Sequence, residues 1–464
     1  MNLATHAALL GWIPVVLLLF ASLPPRRALV AALVGGWLFL PVAGYDVTGY
    51  HDKHMVLSAG MLAGAVAFAP GRLAAFRPRL VDLPMTIWCA WPFVSSLANG
   101  LGAYEGGAAV LFNTARWGVP WLLGRTLLAD RGGVRALAVG VLTGALVYVP
   151  LCLWEIRMSP QLHAALYGFH QHAFDQTVRW GGTFRPMVFM HHGLMVALWM
   201  AVGSILAVAL WTRRTLRDVG GIGMPWIAVA LVGTTVLTKS TGAVVLLAVG
   251  ASVLLLADGA RVRALLIVLA LAAPAYMAVR LTGEAPRTAV LDAAARVASP
   301  VRLASLRFRL ANEEQLAAKA LERPITGWGR YGRWIAYDDQ GRAATPDGFW
   351  VIALGQFGLV GLAAITAATV LPVVRLAVRL RRRRAAAPGA GPAVALGVVL
   401  ALFAVDSLFN AMTNPVYFVA GGALAGVDVR SLVRRRRPAA AQGRAPAPVV
   451  VAGAALASPA GSAR

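Results

Sequence analysis

The sequence predicts an all-α protein, a polytopic transmembrane helical bundle of about 12–14 spans with one large, partly helical external loop. Hydrophobic residues make up 59% of the 464 residues and charged residues only 13%, and the mean hydropathy is +0.68. A soluble protein of this size could not cover so apolar a chain with a polar surface. Apolar stretches close to the ~20 residues that cross a bilayer as a helix recur from end to end. They lack the alternation of polar and apolar residues that a membrane barrel needs.

The apolar stretches predict about thirteen spans, with boundaries defined to about 2–4 residues. The first stretch has no basic residue before it and no clear cleavage site after it, so we interpret it as a span and not as a signal peptide. The predicted spans are 7–23, 28–43, 54–70, 82–98, 108–124, 134–154, 187–210, 223–238, 242–257, 264–282, 348–374, 392–410 and 415–428.

The net charge of +24 comes from arginines whose positions argue against nucleic-acid binding. Placing every arginine cluster on the cytoplasmic side gives a consistent alternation of spans, with the N-terminus outside and the C-terminus in the cytoplasm. The clusters occupy short loops and the tail, at 26–27, 72–79, 125–135, 213–217, 261–263, 375–384 and 430–437.

This topology divides the chain into four parts. An N-terminal bundle of about ten spans covers 1–282, the large loop 283–347, the C-terminal helices 348–430, and a basic, Ala/Pro-rich cytoplasmic tail 431–464. The tail lacks apolar periodicity and is predicted to be disordered. The large loop holds ten basic and eight acidic residues, so the high net charge reflects topology more than substrate.

The large loop contains a predicted helix that begins near Pro300, a residue suited to a first helical turn. Arg302 and Arg309 are seven residues apart and share one face of that helix, which favours an anion-binding edge. Gly327 breaks the helix, and Arg330 follows where a glycine-bracketed backbone can approach a phosphate closely. The alternative is a solvated helix whose arginines form local ion pairs with Glu313, Glu314 and Glu322.

The loop from Glu155 to Arg185 leads into another candidate region. Arg185 precedes a predicted span, and an arginine beside a helix N-terminus favours a phosphate or pyrophosphate. The alternative is an arginine at the headgroup boundary. His191 and His192 are predicted to lie a little more than one turn into that span, so that one of them faces the bundle. A histidine hydrogen-bonded within the bundle is the structural alternative.

Three further residues are candidates because of where they lie. Arg116 and Lys239 are cations in or at the edge of spans, which is costly unless they face a polar cavity or extend to the interface. Asp347 stands where the large loop meets the next span. A partly desolvated carboxylate near arginines can act as a general base toward a sugar hydroxyl. The Pro-Asp-Gly sequence also suits a turn or an N-cap.

The sequence predicts no metal site and no other cofactor. Histidines and one acid do cluster in the loop before Arg185, but their spacing matches no closed zinc pattern and lacks a thiolate. These residues are His163, His170, His172 and Asp175. Cys89 and Cys152 both fall inside apolar stretches and predict neither a disulfide nor a metal site.

Four stretches, taken in order, resemble the O-antigen ligase and polymerase family of bacterial membrane proteins. GGTFRPMVFMHHGLM is similar to the family's entry to a mid-chain span, and LTKSTGAVVLLAVG to its T-x-S-R-G hairpin. SLRFRLANEEQLAAKALERPITGWGRYG resembles the family's helix that ends in a P-x-x-G-x-G turn. PDGFWVIALGQFGLVGLAAI resembles the span that follows the large periplasmic loop. These stretches lie in the larger, C-terminal part of the chain.

The resemblance implies a multi-pass glycosyltransferase of the bacterial inner membrane that assembles lipopolysaccharide or another surface polysaccharide. Such an enzyme takes a glycan from undecaprenyl diphosphate on the periplasmic face and joins it to a glycan or lipid acceptor. The resemblance implies that the enzyme needs no cofactor and binds no nucleic acid. It also implies that Asp347 is the general base. The candidates for binding the donor diphosphate are Arg185, Arg309, Arg302, Lys239, Arg116 and Arg330, with His191 and His192 as accessory residues.

Two positions depart from the family pattern. Thr241 stands where the hairpin arginine is expected, and Asp347 where a loop-end histidine is expected. Lys239 could restore the lost positive charge, and a carboxylate can also accept a hydroxyl proton. Two other functions stay open: a transporter for an anion or small solute, and a non-catalytic component of a polysaccharide export complex. The motifs do not separate a ligase from a polymerase.

Overall fold

The computed structural model describes residues 2–45, 51–179, 182–256, 259–282, 285–296, 300–380 and 388–433. The tail predicted to be disordered therefore lies almost wholly outside the described residues. The first ten helices are α1 Leu3–Ser22, α2 Pro25–Phe39, α3 Lys53–Phe68, α4 Pro70–Ala74, α5 Leu83–Ala98, α6 Gly102–Asn113, α7 Val119–Leu127, α8 Arg131–Met158, α9 Leu162–Tyr167 and α10 Gly193–Thr212. The others are α11 Met224–Leu237, α12 Thr241–Leu256, α13 Gly259–Leu281, α14 Ala285–Ala295, α15 Pro300–Leu321, α16 Phe349–Arg379, α17 Gly391–Asp406, α18 Pro415–Gly426 and α19 Val429–Val433.

Short two-stranded antiparallel hairpins close three of the loops. Their strands are β1 Gly44–Tyr45 with β2 His51–Asp52, β3 Val178–Arg179 with β4 Thr183–Phe184, and β5 Asp218–Val219 with β6 Ile222–Gly223. In the second hairpin Val178 pairs with Phe184 and Arg179 with Thr183. This register carries the chain directly into Arg185.

The described residues confirm an all-α fold, and their apolar helices fit the predicted multi-pass membrane bundle. Within the described chain six helices are long and apolar enough to cross a bilayer, namely those that contain α1, α5, α8, α10, α13 and α16. Shorter apolar helices are α3, α11, α12, α17 and α18. Each predicted span overlaps described helix, including 108–124, where a π-helical turn at Thr114–Gly118 joins α6 to α7.

Helix α10 lies at the centre of the bundle. In its apolar window 94% of the residues are buried, whereas 22% are buried in α1. It contacts α8, α11, α12 and α17. A helix that is apolar on every side and surrounded by other helices belongs to the interior of a membrane bundle, whereas α1 presents most of its surface outward.

Glycines bring α7 and α18 into close contact. A Cβ atom at Gly124 would lie 2.1 Å from the carbonyl oxygen of Val419, and one at Gly422 would lie 2.1 Å from that of Trp121. Each helix thus places a glycine against the backbone of the other. Small residues at helix contacts allow such close approach, which favours van der Waals packing where no hydrophobic effect drives association.

Helix α16 is interrupted at Gly358, which the prediction of one continuous span missed. Gly358 has φ 65° and ψ −168°, a conformation that only glycine adopts easily. The carbonyl oxygens before the break accept hydrogen bonds from the turn after α15. Trp328 N donates to the carbonyl of Gly355 at 2.8 Å, and Gly329 N donates to that of Gln356 at 2.9 Å. Leu359 N donates in return to the carbonyl of Pro324 at 2.6 Å. The break therefore holds the end of the large loop.

Contacts between loops sort them into the two sets that the arginine pattern predicts. In the set predicted to be cytoplasmic, Arg26 pairs with Asp130, and Arg125 Nε donates to Asp82 at 2.9 Å. In the other set, called the outer face, Lys239 donates to Thr183 and Asn99 Nδ2 donates to the carbonyl of Gly327 at 2.9 Å. Which face points to the cytoplasm stays a prediction.

Alanine at Gly124 should destabilise the protein by about 1–3 kcal/mol, the usual cost of overpacking, because its Cβ would meet backbone in α18. Thermal unfolding in detergent measures the effect. Alanine at Gly233 is the matched control, since a Cβ there would have no atom within 4 Å. Equal melting temperatures for the two variants would contradict the close contact.

Candidate functional site

Arg185 lies at the end of the β3–β4 hairpin and not next to a helix in sequence. Its backbone N donates to the carbonyl of Thr177 at 2.8 Å, and α10 begins only at Gly193. The predicted start of this span at residue 187 is therefore wrong. The side chain nevertheless folds back over the helix N-terminus, because a Cβ at Gly193 would lie 2.5 Å from Cδ of Arg185.

Glu155 explains why residues 185–192 are not helical. Its fully buried carboxylate accepts hydrogen bonds from Met187 N at 2.8 Å and Val188 N at 2.7 Å through Oε2. Through Oε1 it also accepts one from Leu162 N at 3.1 Å. Val188 adopts a positive φ of 49° in this segment. A carboxylate 32 and 33 residues away in sequence gives no local signal, so the sequence interpretation missed it.

Arg185 and Lys239 form one cationic cluster on the outer face. Nη2 of Arg185 donates to the carbonyl of Lys239 at 3.4 Å, and Lys239 Nζ donates to Thr183 Oγ1. Lys239 lies between α11 and α12, as predicted, with a positive φ of 54°. Nε of Arg185 is buried and has no hydrogen-bond partner within the described residues. Burial, with the positive charges of Arg179 and Arg309, lowers the pKa of Arg185 to about 10, so it stays a cation at neutral pH.

Arg309 joins this cluster to Asp347. Nε of Arg309 lies 3.7 Å from Oδ2 of Asp347, and the two side chains are 34% and 33% exposed. Nη1 of Arg309 donates to the carbonyl of Phe409 at 3.1 Å. Burial raises the pKa of Asp347, while the charge of Arg309 opposes that rise. The carboxylate thus sits at the outer face with a raised affinity for a proton and a cation beside it.

Asp347 does not serve as the N-cap of α16, one of the roles considered from the sequence. The N-cap is Gly348, and a Cβ there would lie 2.4 Å from the carbonyl oxygen of Leu408. Phe349 N donates to the carbonyl of Asn410 at 3.2 Å. The start of α16 is therefore held against the linker between α17 and α18, and the Asp347 carboxylate is directed toward Arg309.

The predicted local ion pairs of the loop helix are wrong for Glu313, whereas Glu322 forms a local pair with a lysine in place of an arginine. Glu313 accepts from Arg280 Nε at 2.6 Å and from the Tyr276 hydroxyl at 3.0 Å, both on α13. Glu322 pairs with Lys319. The buried Arg280–Glu313 pair holds α15 against α13. Glu313 lies one helical turn after Arg309, so this pair also positions Arg309. Arg302 lies in the same helix, and its side chain is outside the described residues.

Arg116 and Arg330 form a second group, apart from the Arg185 cluster. Arg116 lies in the π-helical turn, with Nη2 3.1 Å from Nδ1 of His54, which is 3.5 Å from Oδ2 of Asp52. Cζ of Arg330 lies 4.4 Å from the ring centroid of Phe112. Arg116 borders two cavities of about 500 and 320 Å³, and Arg330 borders the smaller one.

Other arginines of the loop have structural contacts. Arg323 donates to the side chain of Asn99, and Nη1 of Arg333 donates to the backbone carbonyl of the same residue at 3.1 Å. They fasten the turn after α15 to the end of α5. Arg330, from the same turn, lines the smaller cavity.

Three histidines lie between the two cationic groups. The ring of His172 lies 5.6 Å from that of His191 and 4.7 Å from that of His192. His191 lines the larger cavity. His192 is the N-cap of α10, so the prediction that both lie one turn inside this helix is wrong.

His192 is neutral and acts as a structural residue. Its Nδ1 accepts from Leu194 N at 3.0 Å, which assigns the proton to Nε2, 3.3 Å from Oε1 of Gln176. Burial, together with the charges of His172 and Arg185, lowers the pKa of His192 to about 4. At neutral pH it therefore cannot supply positive charge to an anion.

The larger cavity also contains a residue that the sequence interpretation missed. Lys53 is buried, and its Nζ donates to the carbonyls of Leu40 at 2.8 Å and Phe189 at 3.1 Å. Its place at the start of a predicted span was the available signal.

The loop histidine His163 is used in packing, because its Nε2 accepts a hydrogen bond from Val42 N at 3.1 Å. Within the described residues no group of three or more potential ligands could hold a metal.

The sequence matches no known protein family, and it matches no curated protein. The resemblance to O-antigen ligases and polymerases therefore stays a prediction. The site itself rests on its geometry, which joins Arg185, Lys239, Arg309 and Asp347 and places Arg116 and Arg330 in a neighbouring group.

Alanine at Glu155 should open the segment 185–192, because each backbone N–H left without an acceptor costs about 1–3 kcal/mol. Hydrogen exchange of the amides of Met187 and Val188 measures this opening and should become much faster. Alanine at Asp175, an exposed acid in the same loop, is the control. Unchanged exchange at Met187 and Val188 in the Glu155 variant would contradict the assigned role of this carboxylate.

Proposed function

We propose that this protein is a membrane glycosyltransferase that transfers or polymerises a glycan from an undecaprenyl-diphosphate donor at the periplasmic face. The observation that carries the proposal is the pairing of Asp347 with Arg309 beside the Arg185 cluster. A general base and a group of cations for a leaving diphosphate are the two elements such a reaction needs. The proposed setting is a bacterial inner membrane, with the outer face toward the periplasm.

In the proposed step, the Asp347 carboxylate accepts the proton of an acceptor hydroxyl. The hydroxyl oxygen forms a bond to the anomeric carbon of the donor sugar as the bond from that carbon to the diphosphate oxygen breaks. The electron pair of the broken bond stays on undecaprenyl diphosphate. Arg185, Arg309 and Lys239 would stabilise its developing charge, because positive groups aimed at a leaving anion act strongly in a site that excludes water. Attack opposite the leaving group inverts the anomeric configuration.

A transporter is less well supported. In transporters built on broken helices, the exposed backbone ends of the break face the transported ion or solute. Here the carbonyls before Gly358 are occupied, since Trp91 Nε1 donates to Phe357 at 3.0 Å and Ser95 Oγ to Gln356 at 3.1 Å. The break therefore anchors the end of the large loop, and the carbonyls of Gln356 and Phe357 already accept hydrogen bonds from the protein instead of binding an ion.

Asp347→Asn should lower glycan transfer by about 10²–10⁴-fold, the usual contribution of a positioned acid or base. Arg185→Gln should lower it by about 10²–10³-fold, the usual cost of removing one group that stabilises developing negative charge. Membrane abundance of the protein should not change. The measurement is accumulation of undecaprenyl-diphosphate glycan in a deletion strain that carries each variant. Asp338→Asn is the control, because Asp338 is an acid of the same loop that pairs with Arg342. Normal surface glycan in both site variants would refute the mechanism, and a deletion without accumulation would favour transport.

The pH dependence of kcat/KM should show an acidic limb above the ordinary aspartate pKa of about 4. The base works only when it is deprotonated, and burial raises the pKa of Asp347, so activity is lost as pH falls through that raised value. Arg309→Gln removes the charge that lowers this pKa and should move the limb to higher pH. Arg307→Gln, at an exposed position of the same helix, should leave it in place. A limb that moves to lower pH in the Arg309 variant would contradict the assignment of Asp347.

A further inference from the structure

Arg116 and Arg330 bring two positive charges to one aromatic ring. Cζ of Arg116 lies 5.0 Å from the ring centroid of Phe112, and Cζ of Arg330 lies 4.4 Å from it. Nε of Arg116 and Nη1 of Arg330 are buried, and neither has a hydrogen-bond partner within the described residues. The two charges are close enough to act on each other. Nothing in the proposed transfer step uses either residue.

The cavity that both side chains line, called the aromatic cavity, has a volume of about 320 Å³. Its walls are aromatic, from Trp88, Trp117, Phe349 and Phe357 in addition to Phe112. No carboxylate is among its described lining residues. The nearby acid that acts on Arg116 is Asp52, which lines the larger neighbouring cavity.

Two like charges that face the same cavity repel each other, and an anion between them removes that cost. A guanidinium matches the two oxygens of a carboxylate or phosphate with paired N–H donors. The volume falls within the range of about 300–1,000 Å³ typical of small-molecule sites. The aromatic walls offer flat apolar surfaces on which the C–H face of a sugar ring can rest. The chemistry that fits is a sugar with an acidic substituent.

We propose that the aromatic cavity binds an acidic sugar of the acceptor glycan, one that carries a carboxylate or a phosphate. The acceptor role rests on the proposed glycan transfer. Phe349 lines this cavity two residues after Asp347. The linker between α17 and α18 borders both places, because Thr413 lines the aromatic cavity and Phe409 lines the crevice of Asp347. An acidic sugar held by Arg116 and Arg330 would present a neighbouring hydroxyl to the base.

The test is binding of small sugars to the full-length protein in nanodiscs. The probes are methyl glucuronide, glucose 6-phosphate and neutral methyl glucoside. An acidic probe should bind more tightly than the neutral one, and Arg330→Gln should weaken it about 10- to 100-fold through loss of a charge-assisted hydrogen bond. Arg330→Lys keeps the charge without the paired donors, so its affinity for the acidic probe should lie between those of the unmodified protein and Arg330→Gln. Arg333→Gln is the matched control from the same turn, because Arg333 contacts Asn99. The acidic probe that binds more tightly shows whether the acidic substituent of the sugar is a carboxylate or a phosphate.

Equal binding of acidic and neutral probes would overturn the proposal, as would unchanged binding in Arg330→Gln. Loss of binding only in Arg185→Gln would place the anion in the other cluster and also overturn it. Asp347→Asn separates this inference from the proposed function, because that variant should keep probe binding while it loses transfer. Arg330-dependent binding in a protein without transferase activity would refute the proposed function and retain the acidic-sugar site.

Discussion

Backbone polar groups within a bilayer must find partners inside the protein, since lipid offers none. This requirement determines where the chain can leave regular helix. The break at Gly358 occurs where Trp91, Ser95 and the turn after α15 supply donors for the exposed carbonyls. The irregular segment before α10 exists because Glu155 accepts its backbone N–H groups. Both departures position residues of the candidate site.

The candidate site separates its charges into two groups with different surroundings. Arg185, Lys239 and Arg309 stand beside a carboxylate, whereas Arg116 and Arg330 stand beside aromatic rings. Between them lie His172, His191 and the neutral His192, so the two groups of positive charge stay separate. The two proposed ligands, a diphosphate and an acidic sugar, differ in charge and in apolar surface, and the two environments differ in the same way.

Apolar length and the distribution of arginines were enough to predict the apolar spans and the two sets of loops, because both are properties of local sequence. The start of α10 could not be predicted, since the carboxylate that prevents earlier helix formation belongs to α8. GQFGLVG in α16 is as apolar as an unbroken span, so the break at Gly358 has no local signature. The partners of Glu313 lie on another helix, and helical spacing points only to neighbours on the same one. The order of motifs likewise could not show that Arg185 joins Arg309 while Arg116 joins Arg330.

The contact between α7 and α18 also affects how the site is assembled during synthesis. The linker between α17 and α18 borders the crevice of Asp347 and the two cavities that Arg116 lines. The ribosome makes this linker after every other element of the site. A chain in which α18 has not yet docked through Gly422 would expose its arginines without a formed binding pocket. Partly synthesised chains would therefore lack both candidate sites, which form only when the C-terminal helices pack into the bundle.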